Sequence, residues 1–293
     1  MNESKGSAAH ERETTEEKLV DWYRQKESQP NEKPSLAVDV VMLAYDRSDG
    51  DLKIWLTRRK SHLKEDNWAL PGGFVDSHES TDDACLRRVA EEVGVLLNKD
   101  HIEQLHISNT LGRDPSEWVV TCNYLAFLPT FPPATIGDDE SDGSWFTIEM
   151  SDLNYIFIMI MKSSEYYFDF GEDYISKNDF RIPLRHSTVI RMAMERIKNK
   201  LDYEPNVLRV LGECFTLLDV REVYSKFLGI IPANIKRNRI LNAQARFFDE
   251  VKRKETTHLR PGQPRKLFEL RKRKTLSSMP KKRDEFYACW FIG

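Results

Sequence analysis

The sequence predicts an α+β fold in two parts: a β-rich first part built around one strong helix, then a group of helices closed by a hairpin. Three observations carry this. β-like runs dominate residues 35–180 with a single well-capped helix among them, an order unlike a regular βαβ repeat. From residue 181 the apolar spacing turns helical, and it ends in two short β-like runs. The charge divides at the same place. Residues 1–180 hold 18 Lys and Arg against 35 Asp and Glu, net −17, and residues 181–293 hold 26 against 12, net +14. The near-neutral total of −3 therefore hides an acidic part joined to a basic one.

In chain order, residues 1–34 form a polar lead with a short helix over Glu16 to Lys26, followed by a Pro/Asn/Glu linker ending at Pro34. Two strand-like runs come next, Leu36–Tyr45 and Leu52–Arg59, separated by the turn RSDGD. Trp68–Gly73 leads into a glycine turn. Ser80 to Val93 reads as a helix: Ser80 and Asp83 have capping-box spacing, Cys85, Val89 and Val93 repeat at i+4, and Gly94 suits the C′ position. Further β-like runs are Trp118–Leu128 and Trp145–Glu149, and the aromatic stretch YIFIMIMKSSEYYFDF within 150–180 suggests a hairpin.

The second part opens with a linking helix from His186, where Ile190, Ala193, Met194, Ile197 and Leu201 share one face. A second helix begins at the Thr216/Asp219 capping box, carries Val220, Val223, Tyr224 and Phe227, and stops at Gly229. Pro232 fits the first turn of a third helix, ANIKRNRILNAQ. Phe247–Lys254 and Arg265–Leu270 then pair as a hairpin around the turn His258-Leu-Arg-Pro-Gly-Gln. No internal repeat is present.

Composition excludes several classes. No apolar run approaches the roughly 20 residues of a membrane span. The N-terminus lacks the basic-then-apolar layout of a secretion signal. Cys85, Cys122, Cys214 and Cys289 are too scattered for a zinc knuckle or disulfide framework, so reduced thiols in a cytoplasmic protein are expected, with Cys85 and Cys122 buried.

Residues 73–95 read GFVDSHESTDDACLRRVAEEVGV. This segment resembles the Nudix box through Gly73, Glu79, Arg87, Val89, Glu91, Glu92, Gly94 and Val95, and departs from it at Arg88, where the family has its first helix glutamate. The resemblance implies a mixed sheet with the Nudix helix across it. It also implies an acidic cluster on one helix face that holds Mg²⁺ against a diphosphate, and a Glu79–Arg87 pair that braces the loop. Arg88 inverts one ligand. A guanidinium about 4 Å from a divalent ion is repelled by roughly 8 kcal/mol at an effective dielectric near 20, an upper bound because the side chain can swing aside. Glu91 and Glu92 alone should therefore hold Mg²⁺ weakly. One reading is that Arg88 permits diphosphate binding while suppressing hydrolysis; the blander one is that it pairs with a neighbouring acid and slow turnover survives.

Residues expected around the ligand are Arg58 and Arg59 at the end of the second strand, Trp68, the turn Gly72-Gly73, and Arg113 and Asp114 before the strand at Val119. An aromatic for the base and arginines for phosphates suit a nucleotide diphosphate. Asp138, Asp139 and Glu140 form an acidic stretch that would be either a loop over the site or a solvated turn.

Two short helices followed by a hairpin outline a winged helix-turn-helix. The third helix carries Asn234, Lys236, Arg237, Asn238, Arg239 and Asn242, residue types that read base edges in the major groove. The hairpin carries Lys252, Arg253, Lys254, Arg260, Arg265 and Lys266, suited to phosphates. Together with KIWLTRRKSHL, NWALPGGFV, GRDPSEWVV, KLDYEP and RPGQPRKLFEL, the chain resembles the NrtR family, Nudix-related transcriptional regulators of NAD metabolism. The resemblance implies a Nudix-like effector domain over 35–180, a linking helix and winged helix-turn-helix over 181–274, and a tail, 275–293, without assigned role. It further implies a homodimeric repressor that binds an operator in double-stranded DNA and releases it when ADP-ribose or a related nucleotide is sensed. The competing expectation is an active ADP-ribose pyrophosphatase with a basic, nucleic-acid-tethering C-terminal domain.

Overall fold

The computed structural model describes residues 34–59, 67–109, 118–132, 143–153, 156–163, 167–169, 175–176, 182, 184–236, 240, 247–251 and 266–271. Two strands form its spine, Ser35–Asp46 (β1) and Val119–Leu128 (β6), paired in parallel from Ser35↔Val119 to Ala44↔Leu128. Both are nearly continuous apolar runs because each is covered on both faces. Asp51–Arg59 (β2) returns antiparallel to β1 through the RSDGD turn, where Gly50 takes φ 74°. Asn67–Ala69 (β3) pairs with β2, and Gly72–Phe74 (β4) pairs with β1.

The other strands extend the sheet both ways. Ile102–Ser108 (β5) lies outside β6. On the far side follow Gly143–Leu153 (β7), Ile156–Lys162 (β8), Tyr167–Asp169 (β9) and Ile175–Ser176 (β10). The order is β10-β9-β8-β7-β2-β1-β6-β5, mixed through the parallel β1–β6 pair. The hairpin expected within 150–180 is β8–β9, and β7 and β10 extend it on either side into a meander. β5 was not foreseen. A register shift between Gln104 and His106 breaks its alternation, so Ile102, Glu103 and Leu105 are buried without a period of two.

Helix Thr81–Val93 (α1) covers one face of the sheet. Its capping box is closed by Ser80 and Asp83, and Gly94 ends it at φ 67°. Ala84, Cys85, Val89 and Val93 are buried with Val38, Val40, Met42 and Cys122, so the expected burial of Cys85 and Cys122 holds. Helices Leu184–Lys200 (α2) and Leu217–Leu228 (α3) cover the other face. α3 has the second capping box, Thr216 with Asp219, and Gly229 at φ 62°.

One apolar cluster runs from Val41, Leu43 and Leu125 of the sheet through Ile190 and Met194 of α2 to Val220 and Phe227 of α3. It continues into the hairpin of Phe248–Val251 (β11) and Leu267–Leu270 (β12), where Phe248 and Phe268 are buried. Phe215 and Phe268 exchange backbone hydrogen bonds of 2.9 and 2.8 Å, which fastens the hairpin to the start of α3. Of the expected third helix, the described part is a 3-10 turn, Pro232–Asn234, and helical Ile240; residues 237–239 and 241–246 lie outside the described residues. No helix among the described residues is long and apolar enough to cross a membrane.

Candidate functional site

β4 and α1 position the charged site. Gly72 is required by close approach, and Gly73 lies tight against Arg88. A Cβ on Gly72 would lie 2.5 Å from the Val38 carbonyl oxygen and 2.3 Å from Asp39 Oδ1, and one on Gly73 would touch the Arg88 side chain at 3.3 Å. The chain then loops to Ser80, where the capping box starts α1. Residues 87, 88, 91 and 92 consequently emerge on adjoining turns of that helix, facing the loop.

Arg87 and Arg88 do different jobs. Arg87 reaches back to the loop: Nη2 and Nε donate to the two Glu79 oxygens at 2.6 and 3.1 Å, and Nη2 also donates to the Phe74 carbonyl at 3.2 Å. Glu79 in turn accepts the Asp76 amide at 2.9 Å. The Arg87 hydrogen bonds, with the Asp76 amide behind them, hold the Glu79 carboxyl below its ordinary range. Arg88 instead forks onto its own helix, Nη1 to Glu91 Oε2 at 2.6 Å and Nη2 to Glu92 Oε1 at 2.7 Å. Glu91 is shared, since its other oxygen accepts Arg87 Nη1 at 3.2 Å. Glu92 is the more enclosed acid, its side chain 7% exposed. Its second oxygen lies 3.5 Å from Trp55 Nε1, a contact for which the sequence offers no signal.

The group thus comprises three carboxylates and two guanidiniums, net −1; a glutamate at position 88 would make it −3. The Arg88 fork occupies the carboxylate oxygens that a cation would need, and no three metal-ligating side chains gather among the described residues. The donor set present does not fit Mg²⁺.

Other expected ligand residues separate. Trp68 is corrected from ligand candidate to core: it is 3% exposed and packs edge-on to Phe146 with ring centroids 5.0 Å apart, so no face remains for a base. Arg58 is half-buried on β2 opposite Trp68. Arg59 pairs with Asn67 through its backbone, and its side chain lies outside the described residues, as do Arg113, Asp114, Asp138, Asp139 and Glu140. In the basic part, Asn234 is exposed at the end of its turn, Lys236 follows it, and Lys266 pairs with Glu250 across the hairpin at 2.9 Å. Arg237, Asn238, Arg239, Asn242, Lys252, Arg253, Lys254, Arg260 and Arg265 lie outside the described residues.

Comparison with known proteins places this architecture. The NUDIX domain family matches residues 33–156. A MutT/nudix family protein from Enterococcus faecalis superposes with a TM-score of 0.77 at 33% identity, over 92% of this chain and 99% of that one. The ADPR responsive transcriptional repressor NtrR of Acinetobacter baylyi is 26% identical over 207 residues, 70% of each protein. NrtR of Shewanella oneidensis, in complex with a 27mer DNA, is 26% identical with a TM-score of 0.55, over 80% of this chain and 93% of that one. The chain is a Nudix protein of the NrtR family. In this NrtR protein the Nudix box is the loop and helix from Gly73 to Val95, and α2 and α3 lie on the sheet face opposite its helix.

Proposed function

We propose that this NrtR protein is a DNA-binding transcriptional repressor of NAD-metabolism genes, acting in the cytoplasm as a homodimer, whose Nudix domain senses ADP-ribose or a related nucleotide and then releases DNA. The observation that carries the reading is Arg88 lodged between Glu91 and Glu92: the box keeps its glycine turn and braced loop but has an internal cation where hydrolysis needs a metal. The glycine turn, with Arg58 and Arg87 near it, would receive the diphosphate, and Arg113 and Asp114 would close on it. In the basic part, α3 and the segment from Pro232 serve as the helix-turn-helix and β11–β12 as its wing. Base edges then fall to Asn234, Lys236, Arg237, Asn238, Arg239 and Asn242, and phosphates to Lys252, Arg253, Lys254, Arg260, Arg265 and Lys266. Two copies would present these segments about 34 Å apart, one DNA turn.

The test is a fluorescence-anisotropy titration of the protein's own upstream DNA against random DNA, with and without ADP-ribose. Preference for the upstream DNA, relieved by ADP-ribose and weakening steeply with salt, supports the reading. Equal affinity for both DNAs overturns it. A second reading, an active ADP-ribose pyrophosphatase tethered by the basic part, draws on the retained Glu91 and Glu92; magnesium-dependent release of AMP at an ordinary enzymatic rate would favour it.

A further inference from the structure

The glycine turn is tied to the linking helix by a buried histidine. Asp39 of β1 faces α2, is 3% exposed, and stands in register with Gly72 on one side and Asn123 on the other. Its carboxylate abuts Gly72 so closely that no side chain fits there. His186, in the first turn of α2, is 1% exposed. Its Nδ1 accepts the Leu70 N–H at 3.0 Å, and its Nε2 lies 3.6 Å from Asp39 Oδ2. Because Nδ1 accepts, it carries no proton, so the imidazole is neutral with its hydrogen on Nε2, toward Asp39.

The turn Leu70-Pro71-Gly72 therefore has two backbone anchors of different kinds. Pro71 O accepts the Val40 N–H at 2.9 Å, which ties the turn to its own sheet. Leu70 N–H reaches a side chain of the helix that leads into the basic part. At the far end of α2, the Leu201 carbonyl accepts the buried Tyr224 hydroxyl of α3 at 2.7 Å. α2 is a rigid rod of about 22 Å between these two bonds. It is packed into the shared core through Ile190, Ala193 and Met194, so a displacement at one end cannot be absorbed by soft surroundings. Packing alone would be served as well by an apolar pair; a desolvated histidine and carboxylate at this junction set a particular geometry instead.

We propose that His186 is a positioning residue for the effector turn, and that its Nδ1 bond to Leu70 carries nucleotide occupancy at Gly72-Gly73 to α2 and so to the DNA-binding segment. This inference rests on the functional reading above and names the bond through which that regulation passes. An element held at both sites, whose position both ligands bias, is what energetic coupling requires.

Two isosteric variants of the full-length protein test it. His186→Asn can place an amide oxygen where Nδ1 stood and accept the Leu70 N–H. His186→Gln reaches toward Asp39 and leaves Leu70 without its acceptor. The readout is the ratio of upstream-DNA affinities without and with saturating ADP-ribose, alongside ADP-ribose affinity by calorimetry. Coupling in the native protein should be about 5- to 150-fold. His186→Asn should keep most of that ratio, and His186→Gln should bring it to within about twofold of unity. A purely structural role would lower the melting temperature of both variants and leave the two ratios alike. Equal ratios in the two variants, or a higher ratio for Gln than for Asn, overturn the inference. Native protein that binds neither ADP-ribose nor its upstream DNA sinks the functional reading itself, and that result is visible before either variant is measured.

Discussion

Charges around the glycine turn and charges where α2 and α3 meet the sheet are paired in opposite ways. Around the turn every partner comes from one loop and one helix: Arg87 with Glu79, and Arg88 with Glu91 and Glu92, at separations of three, four and eight residues. At the junction the partners are distant in sequence. Glu103 of β5 accepts Lys200 Nζ at 2.7 Å and Asn206 Nδ2 at 3.0 Å, Lys226 reaches Asp51 at 2.6 Å, and Arg47 lies 3.4 Å from Asp219. Local pairs set the chemical character of the box, because they decide which carboxylates are available. Distant pairs fix where the helices stand on the sheet.

Breaking the local set should have the largest effect, and on chemistry. Arg88→Glu turns the box from net −1 to −3 and frees Glu91 and Glu92. Magnesium-dependent hydrolysis of ADP-ribose should rise at least about tenfold, which needs only a fraction of the roughly 8 kcal/mol of repulsion a guanidinium can exert. Unchanged AMP release would refute the assignment of Arg88 as the internal cation.

Breaking a distant set should cost stability instead. Glu103 is 9% exposed and gathers Lys200, Arg196 and Asn206. Burial pulls Lys200 down, but the Glu103 and Glu204 hydrogen bonds outweigh it and hold the ammonium above its ordinary value. Glu103→Leu removes the carboxylate that Arg196 and Lys200 share and leaves Lys200 with Glu204 alone, at a cost of about 2 kcal/mol. The measurement is a lower urea midpoint at constant slope. Lys226→Ala, at a more accessible pair, should cost only about 0.5 kcal/mol.

The smallest effect separates the sets by pH. Glu79 has a lowered folded-state pKa, so its contribution is complete above the unfolded carboxylate value near 4.5 and disappears as pH falls through the folded value. Denaturation curves of native protein and Glu79→Gln should differ by less than about 1 kcal/mol at neutral pH and converge in acid. A gap that persists at pH 2 would count against the Arg87 brace.

The same contrast explains what could be read from the sequence. Both capping boxes, their closing glycines and the apolar faces of α1 and α3 were legible because each is a local pattern. So was the box, whose partners lie within a few turns. Trp68 was not, since a tryptophan beside a glycine turn looks the same whether it faces a ligand or packs on Phe146, 78 residues away. The role of His186 was equally hidden: its contacts, Leu70 and Asp39, are set by how α2 lies on the sheet. β5 escaped because its bulge erases the alternation on which strand recognition depends.

The apolar cluster that runs unbroken from β1 to the Phe215–Phe268 bridge has a practical meaning for anyone wishing to recombine this protein. Along the chain it looks modular, a Nudix domain followed by a basic segment. In three dimensions there is no seam to cut: a Nudix domain severed before α2 would bare Val41, Leu43 and Leu125 to water, and the basic segment grafted elsewhere would arrive without the sheet it packs on. Chimaeras between relatives should therefore be joined upstream of β1, or else exchange the sheet and its helices together.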